Sequence, residues 1–246
     1  MKTIFIIPAR LNSSRLPRKI LYNINGKTLL EYVIDNLRCS NIHDFLVACD
    51  SEEVAELCSS IGVRAVLTDP DLPSGTDRVS AAAKTLPDEY DTIVNIQGDL
   101  AVFDVSRVFG AIDLLASSKY DMTTIAIPLV EERMIYSPTT VKVAIAKKSE
   151  SHGDALYFSR SAIPYNSSEY YQHLGVYVFK KSVIEKFSSL PQSPLEKTEK
   201  LEQLRALENG LSVGVQIVQT FDACEINCLE DVELLQKYLS KHAIKF

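Results

Sequence analysis

Cysteine is scarce and unpaired in pattern: the five residues Cys39, Cys49, Cys58, Cys224 and Cys228 are odd in number and scattered. That argues against a disulfide framework and fits a reducing compartment. Zinc-site spacing is missing too, because the four histidines are dispersed and Cys224 and Cys228 have no second pair to complete a tetrahedral set. Positive charge is in deficit, with 26 Lys+Arg against 32 Asp+Glu and a formal net charge of -6, so no overall basic field exists to hold nucleic acid or anionic membranes. No apolar run approaches the roughly 20 residues of a membrane helix. The stretch Ile4 to Ile7 is too short for a signal-peptide core. A soluble, cytoplasmic protein with neither membrane insertion nor a nucleic-acid partner is therefore expected.

The 246 residues are 46% hydrophobic and 24% charged, enough for one large domain or two small ones with a substantial core. Residues 3–7 form a short β-branched apolar run ending at Pro8, the pattern of a buried strand in a parallel sheet. Helical spacing of Leu29, Leu30, Val33, Ile34 and Leu37 predicts a helix over 28–38. The alternation continues with strands at 45–48, 65–67 and 92–96 and helices at 52–60, 77–84 and 105–116. Such a rhythm implies right-handed crossovers in a parallel sheet. Beyond residue 120 it changes. Strands are expected at 122–128, 141–146, 174–179 and 213–218, and helices at 181–188, 198–208 and 229–240. The reading is a single continuous α/β domain over 1–246 with a mostly parallel sheet and an embedded mixed subregion.

Ligands of open α/β sheets bind beyond the carboxyl ends of the strands. Directly after the first strand, residues 10–19 carry four cations, Arg10, Arg15, Arg18 and Lys19, among serines whose backbone N–H groups can also face an anion. This suits a polyphosphate, although a solvated basic loop has the same composition. The loop lacks the P-loop pattern and the Rossmann glycines. After the third strand, Ser74-Gly75-Thr76-Asp77-Arg78 opens a helix. A cation in that first turn opposes the helix dipole, so an anionic or carbonyl-bearing ligand would account for Arg78, while Ser74 is equally a simple helix cap. The fourth strand runs into Asn95-Ile96-Gln97-Gly98-Asp99, which sets a carboxylate opposite the basic loop. A divalent cation on phosphate oxygens needs such a carboxylate, and a turn aspartate would read the same way.

In order along the chain, PAR…SSRLP.K (8–19), NGK (25–27), SGTDR (74–78), NIQGD (95–99), VKV (141–143), ALYFSRSAIPY (155–165), HLGVY (173–177) and QSPLEKTEKLEQLR (192–205) resemble the CMP-Kdo synthetases. These are the 3-deoxy-manno-octulosonate (Kdo) cytidylyltransferases, within the sugar nucleotidyltransferases. The resemblance implies that the anomeric hydroxyl of an acidic octulosonate attacks the α-phosphate of CTP and releases pyrophosphate. It gives Arg10, Arg15 and Lys19 the triphosphate, and Ala9, Arg10, Ser74, Gly75, Arg78 and Gln97 the nucleotide. Asp99 and Asn227 would take magnesium, and Arg160, His173, Glu202 and Gln203 the sugar, with Arg160 the cation for its carboxylate. It also implies a three-layer, Rossmann-like nucleotidyltransferase fold, with about 1–120 the nucleotide-binding part, about 121–220 the sugar-binding and dimerisation part and the C-terminal segment returning to the core, and a homodimer formed largely through the mixed part.

Three positions depart from that family's pattern. QGDEP becomes Gln97-Gly98-Asp99-Leu100-Ala101, Asn227 stands where a second metal-binding aspartate is expected, and Arg18 stands where the loop usually has glycine. An amide oxygen is a weaker ligand than a carboxylate, and Glu225 or Asp222 is the candidate to restore the charge. These departures leave two other readings open: a cytidylyltransferase for a different acidic acceptor, and a non-catalytic nucleotide-binding homologue.

Overall fold

The structure, a computed structural model, describes residues 2–13, 16–221 and 223–242. β1 (Thr3–Ala9) is buried on both faces: Phe5, Ile7 and Ala9 join one apolar cluster while Ile4 and Ile6 join another. After a short 3-10 turn at Lys19–Leu21, the ribbon of β2 (Asn23–Ile24) and β3 (Lys27–Thr28) feeds α1 (Leu29–Cys39). Thr28 and Glu31 cap α1 reciprocally, a device whose loss costs about 1 kcal/mol. β4 (Phe45–Cys49), α2 (Glu52–Ser60), β5 (Ala65–Leu67), α3 (Gly75–Ala83) and β6 (Thr92–Ile96) complete the alternating half. There β5, β4, β1 and β6 lie side by side and all pair in parallel.

The second half contains β7 (Leu100–Phe103), α4 (Ser106–Ser117), β8 (Met122–Leu129), α5 (Glu132–Tyr136), β9 (Lys142–Lys147) and β10 (His152–Ser159). It continues with β11 (Tyr170–Lys180), α6 (Lys181–Phe187), α7 (Pro194–Glu199), α8 (Gln203–Glu208), β12 (Val213–Ile217), β13 (Ala223–Glu225) and α9 (Leu229–His242). Among the described residues, nine strands make one sheet in the order β5-β4-β1-β6-β11-β8-β12-β10-β9. β11 pairs antiparallel with both β6 and β8, so both halves share one sheet. One face carries α1, α2 and α4, and the other α3, α6 and α8. A third cluster, built on Ile24, Leu29, Ala101, Ile226 and Leu235, seats α9 against α1 and β7.

The first half of the sheet is parallel and the mixed subregion follows it, where every pairing beyond β6 is antiparallel except β8 with β12. One expectation needs correction. The helix expected over 198–208 is two short helices, α7 and α8, broken where Lys200 adopts a left-handed conformation at φ 57. Strands β7, β10 and β13 were not expected at all. β10 carries a register shift between Ala155 and Tyr157, which disrupts the alternation that marks a strand in sequence.

Candidate functional site

The parallel half ends its strands around a polar cavity of about 210 Å³ that Arg10, Lys19, Gly75, Arg78, Gln97 and Asp99 help to line. Gly98 makes this possible. A Cβ there would lie 2.5 Å from the Pro8 carbonyl oxygen and 3.0 Å from the Ile20 side chain, so only glycine lets the turn after β6 reach the loop after β1. Asp99 is thereby brought to Lys19, with its Oδ2 2.7 Å from Nζ and both side chains mostly covered. α3 is fixed from the same side: the Ser74 hydroxyl accepts from the Asp77 N–H at 3.1 Å, and buried Asn95 donates to the Thr76 hydroxyl at 3.1 Å.

Arg78 lines this cavity but is also satisfied within the protein. Its guanidinium meets Asp50 at 3.3 Å and bonds the Thr68 hydroxyl, so the cation at the start of α3 is compensated by a carboxylate on the neighbouring strand end. Burial still holds it below its ordinary value, against the pull of Asp50.

Asn227 approaches from the C-terminal segment. Its Oδ1 lies 3.5 Å from Lys19 Nζ, while its Nδ2 donates to Glu225 Oε1 at 2.8 Å, which orients the amide with its oxygen toward Lys19 and Asp99. The substituted Leu100 and Ala101 are buried in β7, where Leu100 pairs with Glu225 of β13; the Ile226 N–H also donates to the Asp99 carbonyl at 2.8 Å. Apolar strand pairing therefore stands where the family pattern has an acid and a proline, and it delivers Asn227 to the site. Two hard oxygens, one of them charged, suit magnesium, which binds few protein ligands and completes its shell with phosphate oxygens and water. Among the described residues, no His, Cys, Asp or Glu trio offers another metal cluster. Arg18 takes a left-handed conformation at φ 56 and pairs with Glu53 at the start of α2.

A second cavity of about 530 Å³ adjoins the first, sharing Arg10, Gly75 and Gln97 and extending to Ser74, Lys200 and Glu202. The Glu202 carboxylate accepts from the Thr76 hydroxyl at 2.6 Å and the Thr76 N–H at 3.2 Å, tying α8 to the start of α3. Burial pushes its carboxyl above the ordinary value, partly offset by those bonds. Behind it, Gln203 bonds the Tyr177 hydroxyl at 3.0 Å and the His173 ring at 3.4 Å. Burial pushes His173 down to about 3, so it is neutral near pH 7 and its ring bonds the Thr124 hydroxyl at 2.9 Å.

Residues 4–217 match the family model described as cytidylyltransferase. The chain belongs to that family. Over 238 residues it is 40% identical to the 3-deoxy-manno-octulosonate cytidylyltransferase of Rickettsia prowazekii (strain Madrid E), covering 96% of this chain and 94% of the relative. The corresponding protein of Rickettsia typhi (strain ATCC VR-144 / Wilmington) is 44% identical over 216 residues, 87% of this chain and 88% of the relative. A solved structure of CMP:2-keto-3-deoxy-manno-octonic acid synthetase complexed with CTP superposes with a TM-score of 0.87 at 29% identity, covering 98% of this chain and 99% of that one. The resemblance read from the ordered motifs and the α/β nucleotidyltransferase fold are both borne out.

In this cytidylyltransferase the structure brings Arg10, Lys19, Arg78, Gln97, Gly75 and Asp99 to one cavity, with Asn227 at its edge. Ala9 lies buried at the end of β1, and Ser74 faces the second cavity with Glu202. Arg160, His173 and Gln203 stand behind that cavity rather than among the residues that line it. The Arg160 guanidinium is committed to the carbonyls of Glu199 and Pro138, each at 2.9 Å. Arg15 and Asp222 lie outside the described residues. Sequence reasoning missed Arg205, whose guanidinium makes paired bonds to Asp77 and Glu196, and it missed Lys197 and Lys200 at the second cavity. The charge-rich stretch 196–205 reads as a solvated helix face, and only the apolar neighbours Leu204 and Ala206 hint that Arg205 is buried.

Proposed function

We propose that the protein couples CTP to the anomeric hydroxyl of Kdo, giving CMP-Kdo and pyrophosphate. The observation that carries this reading is the pair of adjoining cavities that share Arg10, Gly75 and Gln97, one with a carboxylate-lysine pair and the other with sugar-sized space. CTP lies in the first cavity, its triphosphate on Arg10 and Lys19 and its nucleoside against Ala9, Ser74, Gly75, Arg78 and Gln97; the part of Arg15 in holding the triphosphate rests on the family resemblance alone. The acceptor lies in the second against Glu202, whose position Arg160, His173 and Gln203 back from behind. The acceptor oxygen bonds the α-phosphorus as the bond to the β-phosphate oxygen breaks; pyrophosphate leaves and the hydroxyl proton passes to solvent. Asp99 and Asn227 would hold magnesium, which supplies charge neutralisation on the phosphate oxygens. For the residues the task is to position two anions and stabilise the charge gathering on the leaving group.

Purified protein with CTP, magnesium and Kdo is expected to release pyrophosphate and CMP-sugar in equal amounts. CTP binding with no product from Kdo or any other acidic sugar would overturn the assignment in favour of a non-catalytic nucleotide-binding protein. The same reading places the enzyme in the cytoplasm, where CTP is available. A homodimer through the mixed part is proposed as well, supported by the exposure there of Val130, Tyr136, Leu156 and Tyr165. Light scattering is expected to give twice the 27.4 kDa chain mass, and a monomer at working concentration would remove the dimer.

A further inference from the structure

The break between α7 and α8 is the most heavily braced irregularity beside the site. The residue before it, Glu199, is held from β10: its carboxylate accepts from Ser159 Oγ at 2.6 Å and the Arg160 N–H at 2.9 Å, and its carbonyl accepts from Arg160 Nε at 2.9 Å. One turn earlier, Glu196 is fixed by Arg205 at 2.7 Å. On the far side Leu201 is buried and Glu202 is anchored to Thr76. Between these anchors Lys200 takes φ 57 and ψ 48, a conformation that glycine adopts freely and a side-chain-bearing residue adopts at a cost. Strained residues held by their surroundings concentrate at ligand clamps.

Charge gives the second observation. Of the ionisable groups around the acceptor cavity, Arg10 stands on the side shared with the first cavity, Glu196 pairs with Arg205, which also holds Asp77, and the Glu202 carboxylate is bound by Thr76. Among the described residues, neither Lys197 nor Lys200 has an ion-pair partner, so the far wall of the cavity presents two exposed ammonium groups that no carboxylate pairs with. Arg160, the other cation near this wall, spends its guanidinium on main-chain carbonyls.

Resting on the proposed function, we infer that Lys200 selects an acidic acceptor by taking its carboxylate on the ammonium group, with Lys197 adding to the local field. Arg160 is then a positioning residue that holds the Glu199 end of the break and so aims Lys200. An ammonium-carboxylate hydrogen bond in a half-closed cavity distinguishes an acid from its neutral analogue, because the neutral compound leaves the cation without its partner.

Lys200→Gly tests this without endangering the fold, since glycine suits the left-handed conformation and its thermal midpoint should equal or exceed that of the parent. Initial rates would be measured with Kdo and CTP, and the C1 carboxamide of Kdo compared with the free acid as a competing ligand. The expected result is a rise of about tenfold or more in KM for Kdo, a KM for CTP within about twofold of the parent, and a collapsed preference for acid over amide. Lys200→Arg, which keeps the charge, should retain most of that preference. An unchanged acid-to-amide preference in Lys200→Gly, with the parent enzyme active, overturns the inference. Absence of product from the parent enzyme overturns the proposed function instead, so the two failures are distinguishable.

Discussion

Asp99→Asn should lower turnover about a thousandfold or more while leaving CTP binding within a few fold of the parent. The substitution keeps the shape and an oxygen for Lys19, which the carboxylate meets at 2.7 Å, and removes only the charge. Asp99 contributes the one carboxylate among the described residues lining the nucleotide cavity, and Asn227 beside it is neutral. Without it, a bound magnesium would have no charged protein ligand among the residues described at this cavity. Stabilisation of this kind is worth several kcal/mol in a transition state, and each 1.36 kcal/mol is tenfold in rate. CTP retains Arg10, Lys19 and the α3 side of the cavity, so ground-state affinity should change far less. Single-turnover rates and calorimetric binding of magnesium to the CTP complex separate the two effects. Turnover within tenfold of the parent, or unaltered magnesium affinity, would remove Asp99 from the metal site. Asn227 sharpens the contrast. Here Asn227→Asp is expected to strengthen magnesium binding, because a second charge joins oxygens that already converge.

Much of this site was legible in the chain because its parts are local. Arg10, Lys19, Gly75, Gln97 and Asp99 lie at strand ends or helix starts, where hydrophobic periodicity stops and polar or glycine residues begin. β1, β4 and β6 were equally plain, as short apolar runs buried on both faces. The acceptor side was less readable, since its geometry is imposed from a distance. Nothing in Lys197-Thr198-Glu199-Lys200-Leu201 signals a helix break, with neither glycine nor proline present. The break is enforced by Ser159 at the end of β10, by Arg160 just after it and by Thr76 of α3, 126 positions from Glu202. Propensity has no access to such contacts. Arg78 shows the converse. Its charge was sensed as out of place at a helix start, but Asp50, 28 residues away, is what answers it.

Arg205→Ala should be the most damaging single change to stability, about 3–5 kcal/mol, or a thermal midpoint lower by roughly 10 °C. The side chain is 1% exposed, and its guanidinium bonds Asp77 at 2.7 and 3.0 Å and Glu196 at 2.7 and 2.9 Å while packing 4.6 Å from the centre of the Phe187 ring. Burial pulls the guanidinium below its ordinary value, but the bonds to Glu196 and Asp77 outweigh that and hold it raised. Removing it strands two buried carboxylates, and the penalty is theirs more than the lost attraction. Neutralising the whole triad, as Arg205→Leu with Asp77→Asn and Glu196→Gln, should therefore recover much of the midpoint. Activity is expected to stay at least tenfold down in that triple variant. Asp77 anchors the Ser74–Gly75 turn between the two cavities and Glu196 belongs to the wall of the second, so in the proposed reading the ion triad sets the register between the two substrates. Apolar and amide contacts can replace its stabilisation without reproducing its geometry, and in-line attack is sensitive to displacements of about 1 Å. Recovery of both midpoint and turnover would instead show that the triad serves stability alone.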